Sequence, residues 1–238
     1  MKEGDLYRIW VYLAETPLLW LTATLVAYVI GDAISARLRR HPLVNPVVIA
    51  AGLLIVVLSA TGTRYQVYFE GAQFVHFLLG PATVALAVPL WRNRERVLLN
   101  LAPMLAALAA GSLTAIGSAA AIGWALGAPG PVVASLATKS TTAPIAMALS
   151  ESIGGVPALA AVLVVLTGIL GSVIVTPLMN AMGVTDYAAR GFAVGVASHG
   201  IGTARAFQVS EEAGTFAGIA MGLNGALTAT VFLVLLAL

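Results

Sequence analysis

The run ASHGIGTARAF, Ala197 to Phe207, sets a serine, a histidine, a threonine and an arginine close together in an otherwise apolar stretch. The run ATKSTTAPIAM, Ala137 to Met147, has the same texture, with a lysine and three hydroxyl residues in sequence. These residue types suit the capture of a small carboxylate. An arginine fork matches a carboxylate with two parallel hydrogen bonds, and lysine supplies a point charge. Hydroxyls read the rest of the ligand, and a histidine changes charge near neutral pH. The candidate substrate-binding residues are therefore Lys139, Ser140, Thr141, Thr142, Ser198, His199, Thr203, Arg205 and Asn224. His199, Glu151 and Glu211 are the candidates for coupling to a proton or Na+. Each has a plainer alternative. Lys139 can snorkel to an interface or cap a half-helix. Arg205 can pair with Glu211 or Glu151, and His199 can be an ordinary hydrogen-bonding residue. Ser198–His199 is not a hydrolase pair, because sequence neighbours rarely face each other and no partnering acid stands nearby. No enzyme is expected.

The surroundings of these residues are lipid-like. The chain has 238 residues, of which 60% are hydrophobic and 9% charged, with a mean hydropathy of +0.97. Soluble domains carry roughly 25% charged residues. A membrane interior leaves only helices or closed barrels, and unbroken apolar runs point to helices. The fold class is all-α integral membrane. A net charge of +2 without a basic cluster excludes nucleic acid, and no cysteine and only three scattered histidines exclude a familiar metal site. No cofactor is expected.

Six full spans are predicted at about 17–36, 45–62, 73–91, 98–126, 156–179 and 215–237. The first sixteen residues mix Lys2, Glu3, Asp5, Arg8 and Glu15, which suits a retained span better than a cleaved leader. Arg37, Arg39 and Arg40 follow the first span, and Arg92, Arg94 and Arg96 the third, so both clusters can face the cytoplasm. Asp32 belongs near that edge. The connection TGTRYQVYFEGAQ is then outside, with Tyr65, Tyr68 and Phe69 in an aromatic belt. Gly80–Pro81 predicts a kink in the third span.

Two apolar stretches, 131–152 and 187–213, are interrupted. Pro144 breaks the first and Gly200 with Gly202 weakens the second. Displaced by 60 positions, Lys139 meets His199, Glu151 meets Glu211 and Gly154 meets Gly214. With a three-residue gap, LTGILG (Leu166–Gly171) then meets LNGALT (Leu223–Thr228), which pairs Thr167 with Asn224. Paired broken segments point to a transporter site, because the backbone groups freed at each break must line a cavity. The breaks are read as two re-entrant hairpins entering from opposite sides, in a twofold inverted repeat spanning about 131–179 and 187–237. Full crossings, with parallel repeats and eight spans, are the alternative.

The runs TKSTTAPIAMALSESIGGVPAL, TGILG, ARGFAVGVASHGIGTARAF and GIAMGLNGALTA resemble the LrgB/CidB membrane proteins. So do Asn45–Pro46, YQVYFEGA and LLGPATVALAVPL, and the resemblance covers nearly the whole chain beyond the first span. The family pattern Pro-Lys-Ser is replaced here by Thr138-Lys139-Ser140, which softens the first break. The resemblance implies one of two activities. The first is secondary transport of monocarboxylates such as glycolate, glycerate or pyruvate. The second is regulation of murein hydrolase export and cell lysis with a holin-like LrgA/CidA partner. It also implies a multi-pass protein of the bacterial inner membrane. Residues 1–127 are read as a scaffold and 128–238 as a transport unit, moving like an elevator within a homodimer, by analogy with other hairpin transporters.

Overall fold

The computed structural model describes residues 17–41, 43–78, 81, 84–85 and 87–237, and helices are its only regular elements among them. The chain forms two compact units, 1–85 and 86–238.

In the first unit, α1 (Pro17–Arg37) packs on α2 (Pro46–Thr61) and α3 (Tyr65–Phe77). Asn45 starts α2 by accepting the Val47 N–H at 2.8 Å, and Gly62 ends it with a φ of 64°. Glycines let the helices touch. A Cβ at Gly31 would stand 2.5 Å from the Pro46 carbonyl oxygen, and one at Gly71 would overlap the Pro17 carbonyl. The α3 helix occupies most of the connection that the sequence places outside. From Tyr65 onward those residues are helical. Tyr68 meets Trp20 edge-on at 5.9 Å and accepts from Thr24 at 3.2 Å, so its ring is spent on packing against α1. Tyr65 stacks on Phe69. Asp32 pairs with Arg40, as its place near the arginines predicts, and a second contact joins them at 3.1 Å.

The second unit begins with two short helices, α4 (Ala87–Arg92) and α5 (Arg94–Leu99), followed by α6 (Leu101–Ala125). The boundary between the two compact units falls between 85 and 86, before α4. Gly80 and the charged residues before Pro17 lie outside the described residues. The span expected at 73–91 is represented by the end of α3, which stops at Phe77, and by α4. Six spans are expected from sequence. Among the described residues four helices are long and apolar enough to cross a membrane: α1, α6, α9 (Pro157–Ala181) and α11 (Glu211–Ala237), the last over 211–236. At 16 residues, or about 24 Å, α2 is shorter than a core of about 30 Å.

Between α6 and α9 the chain makes α7 (Gly130–Ala137) and α8 (Ala143–Ser152). Between α9 and α11 it makes α10 (Tyr187–Val209), whose backbone leaves the helical region at His199. Both segments fold back on themselves. In a straight helix Val194 and Gly202 would be about 12 Å apart, yet a Cβ on Gly202 would lie 3.0 Å from the Val194 side chain. Val194 and Ala206 share one apolar cluster with Ala213 and Ala217 of α11. In the first segment, Ala137 and Leu149 meet over Phe232. Ser135 on α7 sits 3.3 Å from Ser150 on α8 and accepts the N–H of Val156 at 2.8 Å.

The two folded segments approach α9 from opposite ends. Near the start of α9, Ala160 and Val164 hold Ala143 and Ala146 of α8. Near its end, Thr176 and Asn180 accept hydrogen bonds from Arg190 of α10. The first arm of α10 runs alongside α11 at close range, since a Cβ at Gly191 would overlap the Ala213 carbonyl and one at Gly195 the Ala217 carbonyl.

Candidate functional site

The two breaks meet at the middle of α9 and α11, and Asn224 of α11 joins them. Its side-chain amide donates to the Ser140 carbonyl at 2.9 Å and to the Val196 carbonyl at 3.3 Å. Two carbonyl partners fix which end of the amide is nitrogen. Asn224 is almost fully buried, and its Oδ1 has no hydrogen-bond partner.

The first tip is built from hydroxyls. The last carbonyls of α7 would be orphans. Thr138 donates to the Ser135 carbonyl at 3.0 Å, and Thr141 to the Thr138 carbonyl at 3.0 Å. A proline at position 138 has no hydroxyl to give, so the departure from the family pattern supplies a cap. Lys139 is half-buried, with Nζ 3.5 Å from the Ser140 Oγ. Thr142 is the N-cap of α8 without a side-chain cap bond, and Pro144 occupies the first turn.

The second tip turns at His199, with φ 40° and ψ −132°. A non-glycine residue there costs about 1–3 kcal/mol, tolerated where surroundings over-determine it. The surroundings are specific. His199 Nε2–H donates to the Val164 carbonyl at 2.9 Å, and Thr203 donates to the His199 carbonyl at 2.7 Å. Gly168 and Gly171 of α9 form the seat. A Cβ at Gly168 would stand 2.7 Å from the His199 ring, and one at Gly171 would overlap Ser198. Lys139 lies within electrostatic reach of His199. The tips thus gather Lys139, Ser140, Thr141, Ser198, His199, Thr203 and Asn224, of which only Lys139 is not buried. The returning arms of both segments begin here, so two half-helix N-termini, each partly positive, face the same place.

Three candidates stand elsewhere. Arg205 lies on the returning arm of α10, where it donates to Gln208 at 3.3 Å and borders a small cleft with Tyr187 and Arg190. Glu151 and Glu211 are exposed at the outer ends of the two segments. Thr167 is half-buried on α9, beside Gly168. The α9 seat and the Val164 carbonyl escape a search for polar residues. The LTGILG step marks the seat, since glycines repeated in an apolar helix signal close approach. No group of three His, Cys, Asp or Glu among the described residues could hold a metal ion.

The LrgB-like family profile matches residues 24–238. A Bacillus subtilis protein named uncharacterized protein YwbG is 35% identical over 80% of this chain and 85% of its own. The holin-like protein CidB of Staphylococcus epidermidis is 28% identical over 92% of this chain and 96% of its own. The antiholin-like protein LrgB of Bacillus mycoides is 28% identical over 91% and 94%. None of these names is that of an enzyme. No solved structure matches. With a family match over most of its length and four apolar helices of spanning length, this chain is a multi-pass membrane protein and belongs to the LrgB-like family.

Proposed function

We propose that this chain is a secondary carrier of small monocarboxylates, of the glycolate, glycerate or pyruvate kind, with the anion held between the two tips. The supporting observation is Asn224, whose one amide grips both tips beside Lys139 and leaves a buried acceptor without a partner. Lys139 and Ser140 would take the carboxylate, aided by the two half-helix N-termini. The free Asn224 Oδ1 would accept from the substrate hydroxyl, with Ser198, Thr141, Thr142 and Thr203 shaping the remainder. Arg205, on the returning arm beside Gln208, would stand outside this grip. A coupling proton through His199, or Na+, fits the same place, whereas Glu151 and Glu211 sit at the outer ends. The opposed folded segments are the ground for reading an inverted repeat of re-entrant hairpins; elevator-like alternation in a homodimer of the bacterial inner membrane is proposed with it by analogy.

The test is counterflow of labelled glycolate, glycerate and pyruvate in liposomes holding the purified protein. Lys139→Ala should lower exchange at least about ten-fold, the order expected for losing a charged hydrogen bond, while thermal unfolding stays within a few degrees of the parent. Unchanged exchange in Lys139→Ala defeats the assignment.

The second reading is a regulator of murein hydrolase export acting with a holin-like LrgA/CidA partner, and the names of the relatives favour it over carriage. The purified chain alone separates the two. Exchange without a partner supports the carrier. No exchange of any of the three acids, with lysis control appearing only when the partner is co-expressed, supports the regulator.

A further inference from the structure

The second unit contains a cavity of about 520 Å³ between α6, the first arm of α10 and α11. Its outer end holds Arg96 and Asn100, and its inner end reaches Val196 and Ala197, next to the turn at Ser198–His199. Between them the walls are apolar, small at Ala107, Gly111 and Ala193 and bulkier at Met104, Phe192 and Phe216. Arg96 is placed with care. It pairs with Glu212, lies 3.5 Å from Asp186 and sits 5.7 Å from the centre of the Phe216 ring. Neither acid is idle. Asp186 caps α10 by accepting the Ala189 N–H at 2.7 Å, and Glu212 lies in the first turn of α11. One cation faces two carboxylates. Each carboxylate also faces a helix N-terminus worth roughly half a positive charge, so the mouth sums to about zero.

Resting on the carboxylate reading above, we propose that this cavity is the aqueous route between the Arg96 face and the tips, and that Arg96 is its anion-receiving residue. The arrangement suits passage. Walls without hydrogen-bonding side chains between the two ends hold an anion weakly, and conduction needs a site that admits without trapping. The one strong donor group stands at the outer end, where a carboxylate competes with Asp186 and Glu212 for the same guanidinium. At the inner end, Val196 hands its carbonyl to the amide that also holds Ser140, so the route ends on the grip between the tips.

The chain has no cysteine, so single cysteines report cleanly. Ala107→Cys, Ala193→Cys and Ala197→Cys, each in the full chain in liposomes, are exposed to an anionic water-soluble thiosulfonate, to its cationic counterpart and to a lipid-soluble maleimide. Both water-soluble reagents should modify all three positions, and millimolar glycolate should slow modification of Ala197→Cys. Adding Arg96→Gln should slow the anionic reagent at Ala193→Cys by about ten-fold, the order of one lost charged contact, and leave the cationic reagent unslowed. Arg96→Lys should recover part of the difference. Modification by the maleimide alone would make this a lipid-facing groove and overturn the route. Equal slowing of both charged reagents by Arg96→Gln would overturn the role of Arg96. Charge-selective labelling together with normal glycolate exchange in Lys139→Ala would leave the route standing and defeat the tip site instead.

Discussion

Asn224 and His199 show how much of the site depends on single side chains. Replacing Asn224 with leucine strips two buried carbonyls of their donor. A loss of about 1–3 kcal/mol per orphaned group is expected, measurable by denaturant unfolding in detergent. A parent-like unfolding curve for Asn224→Leu would mean that water replaces the amide. His199 makes a sharper comparison, because its positive φ is a property of the backbone. His199→Gly and His199→Ala both lose the bond to Val164, but only glycine relaxes the turn. The glycine variant should be the more stable by about 1 kcal/mol or more. Equal stability would show that the tip reshapes when the ring is removed. Residue types alone marked most of this site, since charges and hydroxyls in apolar sequence need partners. They did not show that Asn224 spans both breaks, because that depends on α11 lying between them. Nor did they set Arg205 apart. Arg205 falls six positions beyond the turn (205 − 199), which along a helical arm is about 9 Å from the tip.

At the level of elements, glycine separates contact from ornament. Gly171 and Gly195 leave no room for a methyl group, while Gly117 and Gly222 have nothing within 4 Å of one. Gly171→Ala should therefore displace Ser198 and destabilise the second tip. Gly117→Ala should be neutral or stabilise by up to about 1 kcal/mol through helix propensity. Thermal unfolding of the pair checks this, and matching shifts in the same direction would refute the seat on α9. The breaks themselves were readable, because Pro144 and the Gly200–Gly202 pair are local features. The start of α3 was not. Tyr65, Gln66 and Glu70 look like a surface connection until Gly71 is seen to admit the backbone of α1, a contact no local pattern records. The strained histidine was equally hidden, since neighbouring glycines suggest that the turn belongs to them.

For the whole second unit, the contacts order the two folded segments end to end along α9. Glu151 closes the first segment beside the start of α9, and Glu211 follows the second beside its end. Glu151→Cys and Glu211→Cys should then be modified by an impermeant thiol reagent from opposite sides of sealed vesicles. Modification of both from one side would mean that the segments cross the bilayer fully. The double grip of Asn224 has a further consequence for such an arrangement. An amide has two hydrogens, and here each is assigned to a different half of the unit. Whichever half swings away must surrender its hydrogen first, and the other half then keeps the amide's undivided hold. A single residue would thus serve as an interlock, making it costly for both doors of the chamber to stand ajar together.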